Sequence, residues 1–150
     1  MSTKFRAARF IKEFLSVEIV EVSSNHETSQ LKVSVGNSEV DLVEVWAWVT
    51  PSVSIGNRGL AVWGGINLYF GSHNGPLRKK RFEDEILAAY ELKSSWCVIT
   101  ELSVFVISSL DGTEKSRFDC EDVIVSHRWL GNNLFLQDFS QKKVKLEIDP

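Results

Sequence analysis

Trp46 and Trp48 are separated by a single residue, a spacing that puts both indoles on one face of an extended strand. Two large rings on one face can anchor a protein partner or stack on a sugar. Leu42 and Glu44 share that face, while Val43, Val45, Ala47 and Val49 form an apolar face suited to a core. The basic run Arg78-Lys79-Lys80-Arg81 follows Gly75-Pro76 and is expected on a loop. There it can dock a phosphate, a nucleic acid or an acidic protein surface. The carboxylates of Glu83-Asp84-Glu85, and of Asp119, Glu121 and Asp122, are the right groups to gather a cation or to act as acid and base. Arg81 and Arg117 stand beside them, so a solvated, locally neutralised face is the preferred reading of both clusters.

The other reactive side chains follow no catalytic pattern. His26, His73 and His127 lack metal-ligand spacing. Ser29-Gln30-Leu31-Lys32 and Ser140-Gln141-Lys142-Lys143 match a serine–lysine nucleophile pattern, but neither opens a helix accompanied by the further motifs that mechanism uses. The nucleophile elbow, the P-loop and the glycine-rich dinucleotide turn are absent. Cys97 and Cys120 have no CxxC spacing and lie in strand-like runs. They are expected to be buried thiols, a disulfide between adjacent strands being the alternative. No catalytic residue, metal ligand or cofactor is assigned.

These groups must be carried by strands. From Val17 onward apolar residues alternate, and Ser, Asn, Gly and Pro clusters punctuate the pattern. Strands are expected near 17–22, 31–35, 40–50, 60–63, 66–70, 85–92, 96–100, 104–107, 123–129, 134–137 and 144–148. Gly64-Gly65 is expected to close a tight hairpin with Trp63 opposite Ile66 and Ala61 opposite Leu68. Val144, Leu146 and Ile148 alternate with Lys143, Lys145 and Glu147, a pattern suited to a charge-protected edge. Before the strands, Ala7, Phe10, Ile11 and Phe14 fall at helical spacing after Thr3, a capping residue. A helix over 4–15 is predicted, packed over the Trp46 and Trp48 face through Phe10 and Phe14.

Residues 77–93 are rich in helix formers, so local propensity there competes with a repeat. Arg81-Phe82-Glu83-Asp84-Glu85-Ile86 recurs 36 residues later as Arg117-Phe118-Asp119-Cys120-Glu121-Asp122-Val123-Ile124. The echo continues, with 96–100 matching 134–138 and 104–107 matching 144–148. This favours a strand over 85–92, since the partner segment Val123-Ile124-Val125 is β-branched. Chance convergence of short strands would give a similar echo. The expected fold is mainly β: an antiparallel sandwich or partly open barrel of about eleven short strands with internal repeats, plus a short N-terminal helix. A closed propeller is set aside because four blades of about 37 residues would exhaust the chain.

With 150 residues and 43% of them hydrophobic, the chain is long enough for one domain around one core: a helix over 1–16 and a β domain over 17–150. A net charge of −3 argues against non-specific nucleic-acid binding. No apolar run approaches the roughly 18 residues of a bilayer span, and no export signal is evident, so no membrane association and a cytoplasmic location are expected. In size and composition the chain is similar to the small, acidic, single-domain immunity proteins with which bacteria neutralise toxins. That resemblance implies a non-catalytic, immunity-type or antitoxin-like inhibitor that binds a protein through Trp46, Trp48, Glu44, Arg78, Lys79, Lys80, Glu83 and Asp84. The alternatives are a carbohydrate or small-ligand module using Trp46, Trp48, Trp129 or Tyr69 with Asn132 and Asn133, and an enzyme without a local motif. Oligomeric state is left open.

Overall fold

The computed structural model describes residues 6–149. Among them there are fifteen strands and no helix, so no helix is long and apolar enough to cross a membrane. The strands form four antiparallel meanders in chain order. The first comprises β1 (Ala7–Lys12), β2 (Leu15–Ser24), β3 (Thr28–Val35) and β4 (Ser38–Trp46), and the second β5 (Ser52–Ile55), β6 (Gly59–Trp63), β7 (Asn67–Ser72) and β8 (Arg78–Arg81). The third runs β12–β11–β10–β9, built from β9 (Ile86–Glu91), β10 (Ser95–Thr100), β11 (Ser103–Ser108) and β12 (Glu114–Asp119). Only three strands make the fourth: β13 (Ile124–Leu130), β14 (Asn133–Asp138) and β15 (Lys143–Glu147).

By its contacts the chain divides into two compact units, Met1–Glu83 and Asp84–Pro150. In the first, Val17, Ile19, Leu31, Val33, Val43 and Val45 of the first sheet pack with Leu60, Val62 and Tyr69 of the second. In the other, Cys97, Ile99, Val104 and Val106 of the third sheet pack with Ile124, Leu134, Leu136 and Ile148. Each such Val, Leu or Ile contributes about 1.5–3 kcal/mol of burial, so these alternating faces hold the sheets together. β6 and β10 are buried at every position, which is why each reads as a continuous apolar run rather than an alternation.

The predicted N-terminal helix is replaced by β1. Residues 4 and 5 lie outside the described residues, but from Ala7 to Lys12 the chain pairs antiparallel with β2, Ala7 opposite Val20 and Lys12 opposite Leu15. Ala8 and Phe10 turn inward at a period of two, Phe10 against the core, while Ile11 is 68% exposed and Phe14 fully exposed. The helical spacing was fortuitous. A helix could have buried one short stripe, whereas an edge strand also satisfies its backbone groups along β2.

The four strands that the alternation did not announce, β1, β5, β8 and β12, all stand at a sheet edge. One such segment, Arg78–Arg81, was expected as a loop and instead pairs with β7, Leu68 opposite Lys80 and Phe70 opposite Arg78. These four bury little, so their sequences lack the apolar period that announced the edge strands β4, β9, β13 and β15. The strand preferred over 85–92 is present as β9. In the Gly64-Gly65 hairpin, Trp63 faces Leu68 and Ala61 faces Phe70, two residues beyond the expected register. A slip of two keeps every side chain on its face, so the inward set is unchanged.

The repeated segment is architectural. Arg81 ends β8 and Arg117 lies in β12, the fourth strands of the second and third sheets, and Ile86 and Ile124 open the next sheet in each case. Phe82 N–H donates to Ile66 C=O at 2.8 Å, and Cys120 N–H donates to Leu102 C=O at 2.7 Å. Each bond ties the exit of a sheet to the turn between its second and third strands. The continued echo also maps strand for strand, β10 onto β14 and β11 onto β15.

Candidate functional site

Val43 and Val45 of β4 are core residues, which leaves Leu42, Glu44 and Trp46 on the opposite face. Leu42 is 49% exposed. Glu44 pairs with Gln30, whose Nε2 donates to Glu44 Oε2 at 3.4 Å, and Trp46 pairs with Thr28. The backbone N–H of Glu44 donates to the Tyr69 hydroxyl at 3.1 Å. β4 ends at Trp46 rather than continuing to Thr50, and Val49 N–H closes a turn onto Trp46 C=O. The two indoles nevertheless meet: their centroids are 5.4 Å apart and their planes 23° from parallel.

Among the described residues no helix covers this face. Trp46 is half-buried because its indole lies on the turn after β6, whose Gly64 C=O accepts from Trp46 N–H at 2.8 Å. Gly65 has φ 129°, and a Cβ there would sit 2.7 Å from Trp46 Cδ2. Glycine is therefore demanded by conformation and by the ring together. Trp48, stacked on the outer side, is 67% exposed. The result is a rigid aromatic pair, braced from within and open outward, with Leu42 and Glu44 on the adjoining strand face.

The basic run is an edge strand of the same unit. Arg78, Lys79 and Arg81 are exposed, while Lys80 is half-buried, its Nζ 6.0 Å from the Phe82 ring centroid. Arg81 pairs with Asn67, at the sheet end where the Gly64-Gly65 turn carries Trp46. Glu83 closes the first unit and Asp84 opens the second, so the residues expected to form one surface are spread over several elements.

The acidic clusters form no group fit to hold a metal ion among the described residues. Asp119 accepts from Ser103 Oγ at 2.7 Å and from Arg117 Nε at 2.7 Å. The serine hydroxyl and the guanidinium hold its carboxyl below the usual carboxylate range. Glu101, which sequence reasoning did not single out, is pushed up by burial and by its hydrogen bond to the Glu85 carboxyl. Both cysteines are free thiols. Cys97 is buried, which pushes it up to about 12, and Cys120 is half-buried and also raised by burial.

Two of the histidines hold structure, while His26 is exposed on a turn. His73 Nε2 lies 3.0 Å from both Gly56 O and Gly59 O, bracing the turn before β6. His127 Nε2 lies 2.6 Å from the Tyr90 hydroxyl, and Tyr90 makes edge contacts with the His127 and Trp129 rings at 5.7 and 5.5 Å. Desolvation lowers the His127 pKa. This cluster was missed, although the one-residue gap between His127 and Trp129 on a strand marks it. Tyr69 is buried in the core of its unit and offers no face to a sugar, while Trp129 is half-buried against the other core.

No protein-family model matches the chain, and no curated protein matches it in sequence. Its likeness is to solved structures, and it is a likeness of fold. The computationally designed Ika4 protein superimposes with a TM-score of 0.61 at 9% identity, over 94% of this chain and 89% of that one. Hsv2 of Kluyveromyces lactis gives 0.61 at 11% identity over 100% of this chain and 50% of its own. BBS1N, solved in complex with ARL6DN, gives 0.53 at 13% identity over 94% and 50%. The chain thus spans about half the length of the two natural proteins. Four successive antiparallel meanders are the building plan of a β-propeller type fold. The sandwich and partly open barrel expected from the sequence give way to four successive sheets, the propeller-like plan that chain length had argued against.

Proposed function

We propose that this chain is a non-catalytic protein-binding β module whose contact surface is centred on the stacked Trp46–Trp48 pair. The observation that carries this reading is a large, rigid, 67% exposed indole held in place by a second indole. Such an anchor gains contact area on binding at little entropic cost. Leu42 adds apolar area and Glu44 a negative group beside it. Arg78 and Lys79 are exposed cations on β8 that would steer an acidic partner. Support of a general kind comes from BBS1N, a fold neighbour solved with a protein partner. An immunity-type inhibitor is the narrower form of the same reading, with a toxin as the partner.

The test is recovery of partners on the tagged chain, comparing wild type with Trp48→Asp. A single stoichiometric partner lost from the variant supports the proposal. A partner recovered equally by both, or none under gentle lysis, overturns it.

A further inference from the structure

The fourth sheet has three strands where each of the others has four, and among the described residues nothing pairs with the outer edge of β15. Ile148 N–H donates to Asn132 C=O at 2.8 Å, and Asp138 N–H donates to Lys142 C=O at 3.1 Å. Bonded pairs recur at every second residue of an antiparallel ladder. The backbone groups of Val144 and Leu146 therefore bond to β14. Those of Lys143, Lys145 and Glu147 point outward, a row of donors and acceptors that can template another strand.

Concavities flank that edge on both sides. Two cavities of about 250 and 260 Å³ lie along it on the side where Leu146 and Ile148 pack. Val104, Val106, Phe118 and Leu146 give one its apolar wall, with Arg117 and Glu147 at its border. Phe118, Ile124, Leu136 and Val144 give the other its apolar wall, with Asp119, Glu121 and Asp138 around it, carboxylates that would repel an acidic side chain on this side. The opposite side is basic. Lys143 and Lys145 border a concavity of about 590 Å³ with Arg128, whose guanidinium lies 5.0 Å from the Phe135 ring centroid. Side chains of an added strand would alternate between these two environments.

We propose that the free edge of β15 accepts an extended segment of a partner protein in which apolar residues alternate with acidic ones. The apolar residues enter the two cavities, and the acidic ones lie across from Lys143 and Lys145 as cross-strand pairs. This surface is distinct from the Trp46–Trp48 face and does not depend on it.

The probe is a fluorescein-labelled octapeptide of alternating glutamate and valine, titrated against the full chain by fluorescence anisotropy. Saturable binding is expected. It should vanish when alternate peptide nitrogens on the bonding edge are methylated, because the ladder is then lost while composition is nearly unchanged. Lys143→Glu with Lys145→Glu should weaken binding about tenfold, the size of two charged cross-strand pairs, and Trp48→Asp should leave it unchanged. No saturable binding, or equal binding of the methylated peptide or of a lysine–valine counterpart, overturns the proposal. So does self-association through this edge in place of peptide binding, since the occupant would then be a second copy. The methylated peptide tests the ladder on the unmodified protein, so the result does not depend on any variant folding.

Discussion

At the scale of single residues, the most constrained position is Gly65. Its φ of 129° and the 2.7 Å approach to Trp46 leave no room for a methyl group. Gly65→Ala is expected to cost about 1–3 kcal/mol, the range for overpacking, and to shift tryptophan emission as the indole moves. Urea unfolding with unchanged stability and unchanged emission would refute this. The thiols give a second expectation. Buried Cys97 should resist a thiol reagent in the native protein, while half-buried Cys120 reacts slowly and both react in denaturant; early labelling of Cys97 would contradict its burial. The residue pattern put Trp46 and Trp48 on one face of a strand, whereas β4 ends at Trp46 and the two rings stack across a turn. Nor did the pattern show that the turn carrying Gly65 packs beneath one of them, because that turn is nineteen residues further along the chain.

At the scale of elements, β1 separates two accounts of the N-terminal segment. Helix packing would make Phe10 and Phe14 equivalent anchors, whereas in the strand Phe10 meets the core and Phe14 sits on the turn. Phe14→Ala should therefore change stability by no more than about 0.5 kcal/mol. Phe10→Ala, only half-buried, should cost about 2 kcal/mol, below the range for a full core phenylalanine. Comparable losses from both would argue against the strand. Strands were legible where they bury alternate or continuous apolar residues, in the interior of a sheet or at its edge. Edge strands that bury little, such as Arg78–Arg81, were not, because what makes them strands is a neighbour's hydrogen bonds. β9 is the instructive middle case: its own residues favour helix, and only the matching segment around Val123 tipped the reading to strand.

At the scale of the whole molecule, stability should fall with acid in two stages. His127 is held neutral by desolvation, its pKa below the ordinary 6.5, so the unfolded chain takes up that proton first. Stability is then lost as pH falls through and below about 6.5. Glu21 has the opposite chemistry and the same sign. The Ser29 hydroxyl and Arg6 hold its carboxyl below 4.5, and that contribution disappears only below the ordinary carboxylate range. The melting temperature should drop between about pH 7 and 5, and His127→Gln should flatten that first stage. An imidazole resonance titrating at or above 6.5 would sink this account. Alternation, turn residues and the Arg-Phe-acidic echo were enough to determine an antiparallel β chain built from repeated strand units, since period-two burial is written locally in residue type. Which strands share a sheet, where each ladder ends and which aromatic faces stay open were decided only by tertiary structure. Those outcomes depend on pairing between distant segments, and the polar edge strands that complete a sheet carry no local record of the partner they will meet.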